Sequence, residues 1–412
     1  MTEHMRCDTT IAVTGLGVTS SLGTSAERTQ ARTLAGERGL AKIRAFDTTG
    51  CRSEIGGEAP DPTVPAELRA AAYGAYSRTG ALALHAASAA LEQAGWIGRE
   101  RGRVGLVVGS AGVGTTALER YLDRRLEHGP NSSRAALLLG FPKRCVSDWV
   151  GWALELGGPR TTVNTACSSG AVAVIQGADW LRTGACDAVL AGGADELTRF
   201  TMSGFCSLRA VDPDPCRPFD RDRKGMSIGE GAGFLMLERR ADAVARGATV
   251  LGILAGAGHT CDAGHLTAPD PQGAGGARAI RAALEAAGIG PTEIAFVSAH
   301  GTGTPHNDAA EVHALRAVFG VHAPTCPVHS AKASIGHCMG AAGAIEAALA
   351  VLSLTQGLVP PTAGLERPEF EGELDFVRGS PRRVSKPYAI SNSFGFGGNN
   401  AALVFRRPEV RG

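Results

Sequence analysis

The chain has 412 residues, with 41 Lys or Arg against 40 Asp or Glu, which leaves a net charge of +1 and argues against a general nucleic-acid binder. At roughly 150 residues per domain this length suggests two or three units. A composition of 44% hydrophobic and 20% charged residues argues against disorder. Only 5% of residues are aromatic while 56 are glycine, so the core must consist of small and branched aliphatic side chains.

Apolar β-type runs alternate with small-residue helical runs, the pattern of an α/β fold. In the first part of the chain we predict a strand, a helix, a strand, a strand that runs into a helix, and a final strand, at 11–15, 77–94, 104–110, 161–184 and 187–193. The same order returns at 250–255, 276–287, 294–304, 327–357 and 388–392, the last opening into 401–405.

This repeated order predicts a duplicated β/α unit. We assign residues 1–249 to an N-terminal half, with an insertion at about 115–158, and residues 250–412 to a C-terminal half. Any α/β protein repeats strand and helix, but five elements in a shared order with glycine-rich exits favour duplication. Ligands in such sheets bind beyond the carboxyl ends of the strands, so the residues at these exits are the candidates for function.

The run TVNTACSSG places Cys167 where an extended segment turns into a helix. A thiol at a first helical turn faces free N–H groups and the positive end of the helix dipole, which lower its pKa and favour the thiolate nucleophile. Free cysteines are more often small buried residues, and the other nine are interpreted that way. Ser168, Ser169 and Gly170 keep this helix start small and accessible.

Two histidines lie at comparable exits in the second half. His300 ends IAFVSAH, and His337 lies in KASIGHCMG at a position that corresponds roughly to Cys167. We therefore expect both helix starts to face one pocket. A histidine near a helix N-terminus is biased toward its neutral form, which can donate a hydrogen bond to a developing anion. The alternative is a pair of structural histidines.

A lysine and a glutamate accompany this region. Glu346 lies in the apolar run GAAGAIEAALAVL, and a buried carboxylate needs a partner. Lys332, just upstream, is the natural candidate, with a solvated loop lysine as the alternative. The glycine-rich segment 392–400 lacks the spacing of a phosphate loop, so a mobile loop or backbone N–H donors near the thiol fit better.

Other classes are disfavoured. No apolar run approaches the roughly 18 residues of a membrane span, and the first ten residues show no secretory signal. Ten scattered cysteines without a CxxC pair suit a reducing cytoplasm. The set His259, Cys261 and His265 lacks a fourth ligand at ordinary spacing, so we expect no metal site.

Several blocks of the sequence, in order, resemble a known family. TACSSG at 165–170, AHGTGTPHNDAAE at 299–311, SAKASIGHCMGAAGAIEA at 330–347 and SNSFGFGGNNA at 391–401 are similar to the elongating β-ketoacyl-acyl carrier protein synthases, the ketosynthases of type II fatty-acid and polyketide systems. The segments 217–238 and 262–269 extend the match over nearly the whole chain. The resemblance implies a thiolase-like duplicated five-layer α/β/α/β/α fold. It also implies dimers that act, without a cofactor, on substrates carried on the phosphopantetheine of acyl carrier protein.

The resemblance also implies residue roles. Cys167 would hold the acyl chain as a thioester, while His300 and His337 would promote decarboxylation of malonyl-carrier and stabilise the enolate. Lys332 would order the histidine region and pair with Glu346. The remaining implied roles are an oxyanion hole from the N–H groups of Cys167 and Phe396, a pantetheine contact from Thr302 and Thr304, and gating by Phe396, Asp262 and His265.

The sequence departs from this family in three places. Gly112, or Val113 after a one-residue shift, replaces a bulky residue that would narrow the acyl tunnel, which suggests longer or stiffer chains such as polyene or polyketide intermediates. Carrier docking is represented only by Arg69 and Arg209. His306 stands where an apolar residue is expected.

The implied function is decarboxylative Claisen condensation in type II fatty-acid or polyketide synthesis. The alternative is a non-condensing decarboxylase or a chain-length-determining partner subunit, against which Cys167 already counts. A thiol hydrolase is disfavoured because it would need a water-activating base. The sequence leaves open whether the dimer is a homodimer or a heterodimer with a related chain-length factor.

Overall fold

The structure of the protein is a computed structural model, which describes residues 10–71, 77–112, 114–132 and 146–409. Its α-helices are α1 (Ala26–Leu34), α2 (Ala66–Ala71), α3 (Arg78–Gln93), α4 (Thr115–His128), α5 (Val146–Ala153), α6 (Ser169–Arg182), α7 (Arg199–Ser207), α8 (Arg240–Ala245), α9 (Ala274–Ala287), α10 (Pro305–Phe319), α11 (Lys332–Ile335) and α12 (Ala342–Gln356). Short 3-10 turns cover Pro291–Glu293, Gly320–Thr325, Met339–Ala341 and Phe396–Gly398.

The strands alternate with these helices along most of the chain. They are β1 (Ile11–Thr19), β2 (Ala41–Lys42), β3 (Ile55–Gly57), β4 (Val104–Gly109), β5 (Arg160–Val163), β6 (Ala188–Asp195), β7 (Ile228–Gly229), β8 (Gly231–Arg239), β9 (Gly252–Cys261), β10 (Ile294–Ser298), β11 (Pro327–His329), β12 (Leu358–Val359), β13 (Asp375–Phe376), β14 (Arg382–Arg383), β15 (Tyr388–Gly395) and β16 (Asn399–Arg406).

The central sheet contains the same pattern of antiparallel and parallel strand pairing twice. It runs β13-β11-β10-β15-β16-β9-β1-β8-β6-β4-β5. Outward from β1, the strands β1-β8-β6 pair antiparallel and β6-β4-β5 pair parallel. Outward from β9, β9-β16-β15 pair antiparallel and β15-β10-β11 pair parallel. The predicted duplicated, thiolase-like fold is confirmed.

The halves join through a short antiparallel pairing of β1 with β9. The proposed boundary at residue 249 falls in the connection between α8 and β9 and stays a prediction. Within the predicted insertion the structure contains α4 and α5. None of the residues of α4 is buried by the rest of the chain.

Five layers follow from the way the helices cover the sheet. α3 packs with β4, β6 and β8 in one apolar cluster, and α9 and α10 pack with β10 and β16 in another. α6 and α12 lie between the halves in the largest cluster. A Cβ on Gly170 would lie 2.8 Å from the Gly340 carbonyl oxygen, and one on Gly343 would lie 2.9 Å from the Ala171 nitrogen. Small residues therefore let the two inner helices pack backbone to backbone.

The strand predicted at 11–15 is longer in the structure, where β1 covers Ile11–Thr19, and β8 was not predicted. A Cβ on Gly15 or Gly17 would lie about 2 Å from a carbonyl oxygen of α3, at 2.0 Å from Ala90 and 1.8 Å from Ala86. These glycines interrupt the apolar pattern because a helix backbone lies directly on the strand. β8 is buried from Gly231 to Glu238, so it lacks the alternation of a half-exposed strand.

One helical stretch, Met339–Gln356, is long and apolar enough to cross a membrane by length and composition. Its window is 78% buried inside the protein, and it contains Glu346. This is the pattern of a core helix, and α12 is the innermost layer of the fold.

Candidate active site

Cys167 lies in a tight turn between β5 and α6. Ala166 before it has φ 53°, an uncommon left-handed conformation for a residue with a side chain. The turn is held by the Ser168 hydroxyl, which donates to the Thr165 carbonyl oxygen at 2.8 Å, and by the Thr165 N–H, which donates to the Ser169 hydroxyl at 2.9 Å. The strained turn presents the thiol at the start of the helix, as the sequence predicts.

The predicted lowering of the thiol pKa is wrong. Burial raises the pKa of Cys167 to about 11, although the positive charge of Lys332 and the backbone N–H groups of Phe396 and Cys167 lower it. Only 5% of Cys167 is exposed, so the loss of hydration exceeds these favourable interactions. The same two N–H groups that contact the sulfur are those expected to form an oxyanion hole.

The two histidines meet edge to face behind the thiol. Their ring centroids are 5.4 Å apart with an interplanar angle of 86°. The His300 N–H donates to Glu311 Oε1 at 2.8 Å, and the His337 N–H donates to the Ser227 carbonyl oxygen at 2.7 Å. Both residues are buried, and neither Nδ1 atom has a hydrogen-bond partner among the described residues. Their backbones are therefore fixed while the rings remain available to a ligand.

Both imidazoles are held in the neutral form. Burial, followed by the charge of Lys332, lowers the pKa of His300 and of His337 well below 6.5. The sequence indicates the neutral form for a different reason, the helix N-terminus. Here desolvation and a lysine, rather than the helix, exclude the proton.

Lys332 pairs with Glu346 in the interior. Each side chain is 1% exposed, and Lys332 Nζ donates to Glu346 Oε1 in a short contact. Burial raises the pKa of Glu346 to about 7, against the lowering effect of Lys332. Neither residue lines the cavity described below. Of the two residues, it is the charge of Lys332 that acts on the histidines.

Glu311 was missed in the sequence. Its carboxylate accepts the N–H groups of His300 and Gly301, at 2.8 and 2.7 Å, and the Asn392 amide at 3.2 Å. Burial raises the pKa of Glu311 to about 7. The position of Glu311 in the segment AHGTGTPHNDAAE could have indicated this role, because a glutamate on the buried face of α10 lies close to the loop that precedes the helix. It fixes the backbone that carries His300.

A cavity of about 300 Å³ brings most of the predicted residues together. Those that line it are Cys167, His300, His337, Thr302, Thr304, Phe396 and Asp262. His306 and the unpredicted residues Phe394, Asn307 and Asn400 also line it. The Thr302 and Thr304 hydroxyls are 2.9 Å apart.

Two loops meet over this cavity. The Phe396 ring packs on Phe205 with centroids 5.6 Å apart. The Asp262 N–H donates to the Gly398 carbonyl oxygen at 2.9 Å, and the Asn400 amide donates to Asp262 Oδ1 at 2.8 Å. Asp262 therefore joins the loop after β9 to the turn that carries Phe396.

His265 is not placed with the other predicted site residues. It is exposed, and its Nδ1 accepts the N–H groups of Thr267 and Ala268, each at 3.0 Å. The histidine shapes its own loop and does not line the cavity. In the part of the chain that the structure describes, no group of three His, Cys, Asp or Glu residues could hold a metal ion.

Gly112 lines a second cavity of about 230 Å³ next to the first. Phe205 and Leu208 line both cavities and so form a shared wall. Asp195, missed in the sequence, fixes this region: its carboxylate accepts the Ser110 hydroxyl at 2.5 Å and the Gly112 N–H at 2.9 Å. A Cβ on Gly112 would lie 3.3 Å from Asp195 Oδ1, a tight contact, so a side chain at this position would take up space in this corner of the cavity.

Of the two residues predicted to dock the carrier, only Arg209 has a side chain within the described residues. Arg209 is exposed at the end of α7 with φ 54°. The Arg69 side chain and Val113, the alternative to Gly112, lie outside the described residues.

Comparisons with known proteins agree with this geometry. The family descriptions "Beta-ketoacyl synthase, N-terminal domain" and "Beta-ketoacyl synthase, C-terminal domain" match residues 8–243 and 251–366. The 3-oxoacyl-[acyl-carrier-protein] synthase 2 of Synechocystis sp. is 34% identical, over 97% of this chain and 98% of that protein.

Solved structures are similar over the same span. The ishigamide ketosynthase/chain length factor is 35% identical with a TM-score of 0.90, and covers 97% of this chain and 99% of its own. A type II polyketide synthase acyl-carrier protein in complex with its ketosynthase bound to the hexaketide (AntDE:AntF) is 27% identical with a TM-score of 0.86, at the same coverage. The chain belongs to the β-ketoacyl synthase family and is a condensing acyltransferase with the thiolase fold.

Proposed function

We propose that the chain catalyses decarboxylative Claisen condensation between an acyl group on Cys167 and a malonyl group on acyl carrier protein. The observation that carries this proposal is the convergence of one thiol and two neutral imidazoles on a single cavity, with two backbone N–H groups at the sulfur. The similarity of the chain to a 3-oxoacyl-[acyl-carrier-protein] synthase and to a type II polyketide ketosynthase supports the same proposal.

In the first half-reaction the acyl group moves to the protein. Cys167 attacks the thioester carbonyl, the Cys167 and Phe396 N–H groups stabilise the oxyanion, and the carrier thiol leaves with a proton. Because burial raises the pKa of the thiol, its proton must pass to a base in the cavity. His300 or His337 would carry this proton only in transit to the departing carrier thiolate, because burial and the charge of Lys332 disfavour a charged imidazole.

In the second half-reaction the carbon–carbon bond forms. The bond between the malonyl carboxylate and its α-carbon breaks, carbon dioxide leaves, and the electron pair forms an enolate. Neutral His300 and His337 each donate a hydrogen bond from a ring N–H to the enolate oxygen. The enolate carbon then attacks the acyl carbonyl, and the Cys167 thiolate is released.

The other cavity residues are assigned to the carrier arm and to access. Thr302 and Thr304 face the path that a pantetheine arm would follow to the thiol. Phe396 and Asp262 lie in the two loops that meet above it, so their joint movement would open the site for the second substrate. Arg69 and Arg209 remain candidates for carrier docking.

The partners are inferred from the relatives. One solved relative is a ketosynthase in complex with its acyl-carrier protein, and another is a ketosynthase/chain length factor. We assign to this chain an acyl carrier protein and either a second copy or a related subunit. The cysteines of the described residues are free, which supports a reducing, cytoplasmic location.

The second cavity supports a proposal about the acyl chain that the protein accepts. Gly112 leaves about 230 Å³ open beyond the wall formed by Phe205 and Leu208, next to the thiol cavity. We assign this space to the far end of a long or stiff acyl chain, such as a polyene or polyketide intermediate. Gly112→Ile should shorten the longest product; an unchanged product profile, or elongation of short saturated chains only, would contradict the assignment.

Intact-mass spectrometry tests the reaction itself. Cys167→Ala should abolish the acyl-protein adduct and condensation, while malonyl decarboxylation persists because both histidines remain. Retained condensation would overturn the mechanism. If the unaltered protein does not catalyse condensation even with every candidate subunit present, the decarboxylase alternative is favoured. Free acid as the main product would favour a hydrolase. Dialysis against EDTA should leave the rate unchanged, because no step needs a metal.

A further inference from the structure

One segment of the chain lines the thiol cavity from its buried end to the surface. Every second residue of this segment, between β10 and the first turn of α10, lines the cavity: His300, Thr302, Thr304 and His306, the cavity row. His300 and Thr302 are each 3% exposed, Thr304 is half-buried and His306 is exposed. The cavity row therefore leads from the catalytic centre to solvent, and His306 stands at its outer end.

The first turn of α10 presents backbone donors beside His306. The helix begins at Pro305, and its N-cap Thr304 makes no side-chain capping bond. The Thr304 hydroxyl instead lies 2.9 Å from the Thr302 hydroxyl. Within the described part of the chain, neither the His306 N–H nor the Asn307 N–H has a hydrogen-bond acceptor. Free N–H groups in this position favour an anion, and both residues line the cavity.

The acidic residue of this turn is occupied elsewhere. Asp308 is buried, and its carboxylate accepts three backbone N–H groups, those of Phe219 at 2.8 Å, Thr302 at 3.1 Å and Gly303 at 3.2 Å. It also pairs with the buried Arg223 at 3.4 Å. Asp308 does not line the cavity. An anion at the outer end of the cavity row would therefore not face a free carboxylate from this turn.

A lysine lies in the segment that packs on the cavity row. A Cβ on Gly303 would lie 2.6 Å from the Gly225 carbonyl oxygen, so the two backbones are in direct contact. Lys224, the residue before Gly225, is exposed. Its Nζ lies 3.8 Å from Asp214 Oδ2, and the two side chains are 52% and 56% exposed. Such an exposed ion pair is weak, so Lys224 adds positive charge to this part of the surface.

We propose that His306, together with the free N–H groups of the first turn of α10, binds the phosphate of the phosphopantetheine arm. This inference rests on the proposed function, in which that arm carries the substrates. The arm is a linear chain with a thioester at one end, two amides in the middle and a phosphate at the other end. With the thioester at Cys167 and the amides beside Thr302 and Thr304, the phosphate comes to the outer end of the cavity row, at His306.

The phosphate takes no part in bond making or breaking, so its recognition acts on affinity and on the choice of substrate. An imidazole N–H and a backbone N–H can each donate to a phosphate oxygen, and a hydrogen bond to a charged group is stronger than one between neutral groups. An interaction that is equal in the ground state and the transition state lowers KM and leaves kcat unchanged. His306 would therefore set the affinity for the arm, and an apolar side chain in its place would supply no donor.

Two small thioesters that differ only in the phosphate test the site. Full-length protein is mixed with subsaturating acyl-phosphopantetheine or acyl-pantetheine, each with the same long-chain acyl group, and acylation of Cys167 is followed by intact-mass spectrometry. Wild type should load about tenfold faster from the phosphorylated donor. His306→Leu should lose most of this preference, while His306→Arg, which keeps N–H donors, should retain it. The matched control His322→Leu changes an exposed histidine that does not line the cavity, and should behave like wild type.

The acyl carrier protein itself serves as the third donor. With it, His306→Leu should raise KM several-fold and leave kcat nearly unchanged, and a loss confined to kcat would count against a binding role. Equal rates from the two small donors in wild type, or a preference that survives in His306→Leu, would overturn this inference and leave the proposed function intact. Absence of an adduct on Cys167 with all three donors would instead overturn the proposed function, and this inference with it.

Discussion

Burial shifts the pKa values of the residues that line this cavity, and Cys167 gives the first prediction. Because burial raises the pKa of its thiol to about 11, the resting thiol is protonated at neutral pH. Alkylation by iodoacetamide should therefore accelerate about tenfold per pH unit between roughly pH 7 and pH 9. The measurement is the rate of adduct formation on Cys167 by mass spectrometry.

The neighbouring lysine supplies a control for this pH profile. The positive charge of Lys332 lowers the pKa of Cys167, so Lys332→Met should react more slowly than wild type at each pH. A wild-type rate that reaches a plateau below pH 8 would show a thiolate already formed, and would contradict the dominance of burial.

The buried pair gives a prediction for stability. Lys332 and Glu346 are each 1% exposed, so removing either charge leaves the other without compensation. Lys332→Met and Glu346→Leu should each lower the free energy of unfolding by about 3–5 kcal/mol. The double variant should lose much less than the sum, because no buried charge remains. Urea denaturation of the four proteins measures the coupling, and additive losses would show that the pair is not a unit.

Residue roles could be predicted from the sequence only where local pattern carried them. Cys167, His300 and His337 stand at recognisable strand exits, and the fold brings them to one cavity. The protonation of Cys167 could not be predicted, because it depends on burial by loops distant in sequence. Asp195 and Glu311 were missed for the same reason, since their partners are backbone N–H groups of other segments.

Among the loops above the cavity, Asp262 links the loop after β9 to the turn that carries Phe396. Its Oδ1 accepts the Asn400 amide at 2.8 Å, and its Oδ2 accepts the Asp270 N–H at 3.1 Å. Asp262→Ala should uncouple the two loops and lower kcat/KM for condensation several-fold, with a smaller effect on the first acylation. Asp262→Asn, which keeps a carbonyl acceptor, is the matched control and should lose less. Equal losses in both half-reactions would point to a general structural defect.

Element boundaries were predicted well where the core pattern was regular. The helix predicted at 77–94 is observed at Arg78–Gln93. The strand predicted at 250–255 instead runs over Gly252–Cys261, and β8 was missed. Close approach of helix backbones to glycines within strands removes the periodic signal, so these errors follow from packing that a local window does not contain.

For the whole molecule, stability depends on the contact between the inner helices. A Cβ on Gly343 would already meet Ser393 Oγ at 2.5 Å and the Ala171 nitrogen at 2.9 Å. Gly343→Val should therefore destabilise the protein by about 3 kcal/mol or more. Gly204→Ala, at a glycine with nothing within 4 Å, is the control and should be nearly neutral. Thermal unfolding compares them, and equal midpoints would show that the inner layer tolerates extra volume.

The duplicated sheet has a consequence for the origin of the chemistry. The first repeat contributes Cys167, and the second contributes His300, His337 and the N–H of Phe396. Of the residues that line the cavity, neither repeat alone supplies the thiol together with an imidazole. The reaction therefore depends on the packing of the two repeats against each other, because the thiol comes from a helix start in one and His337 from the corresponding helix start in the other.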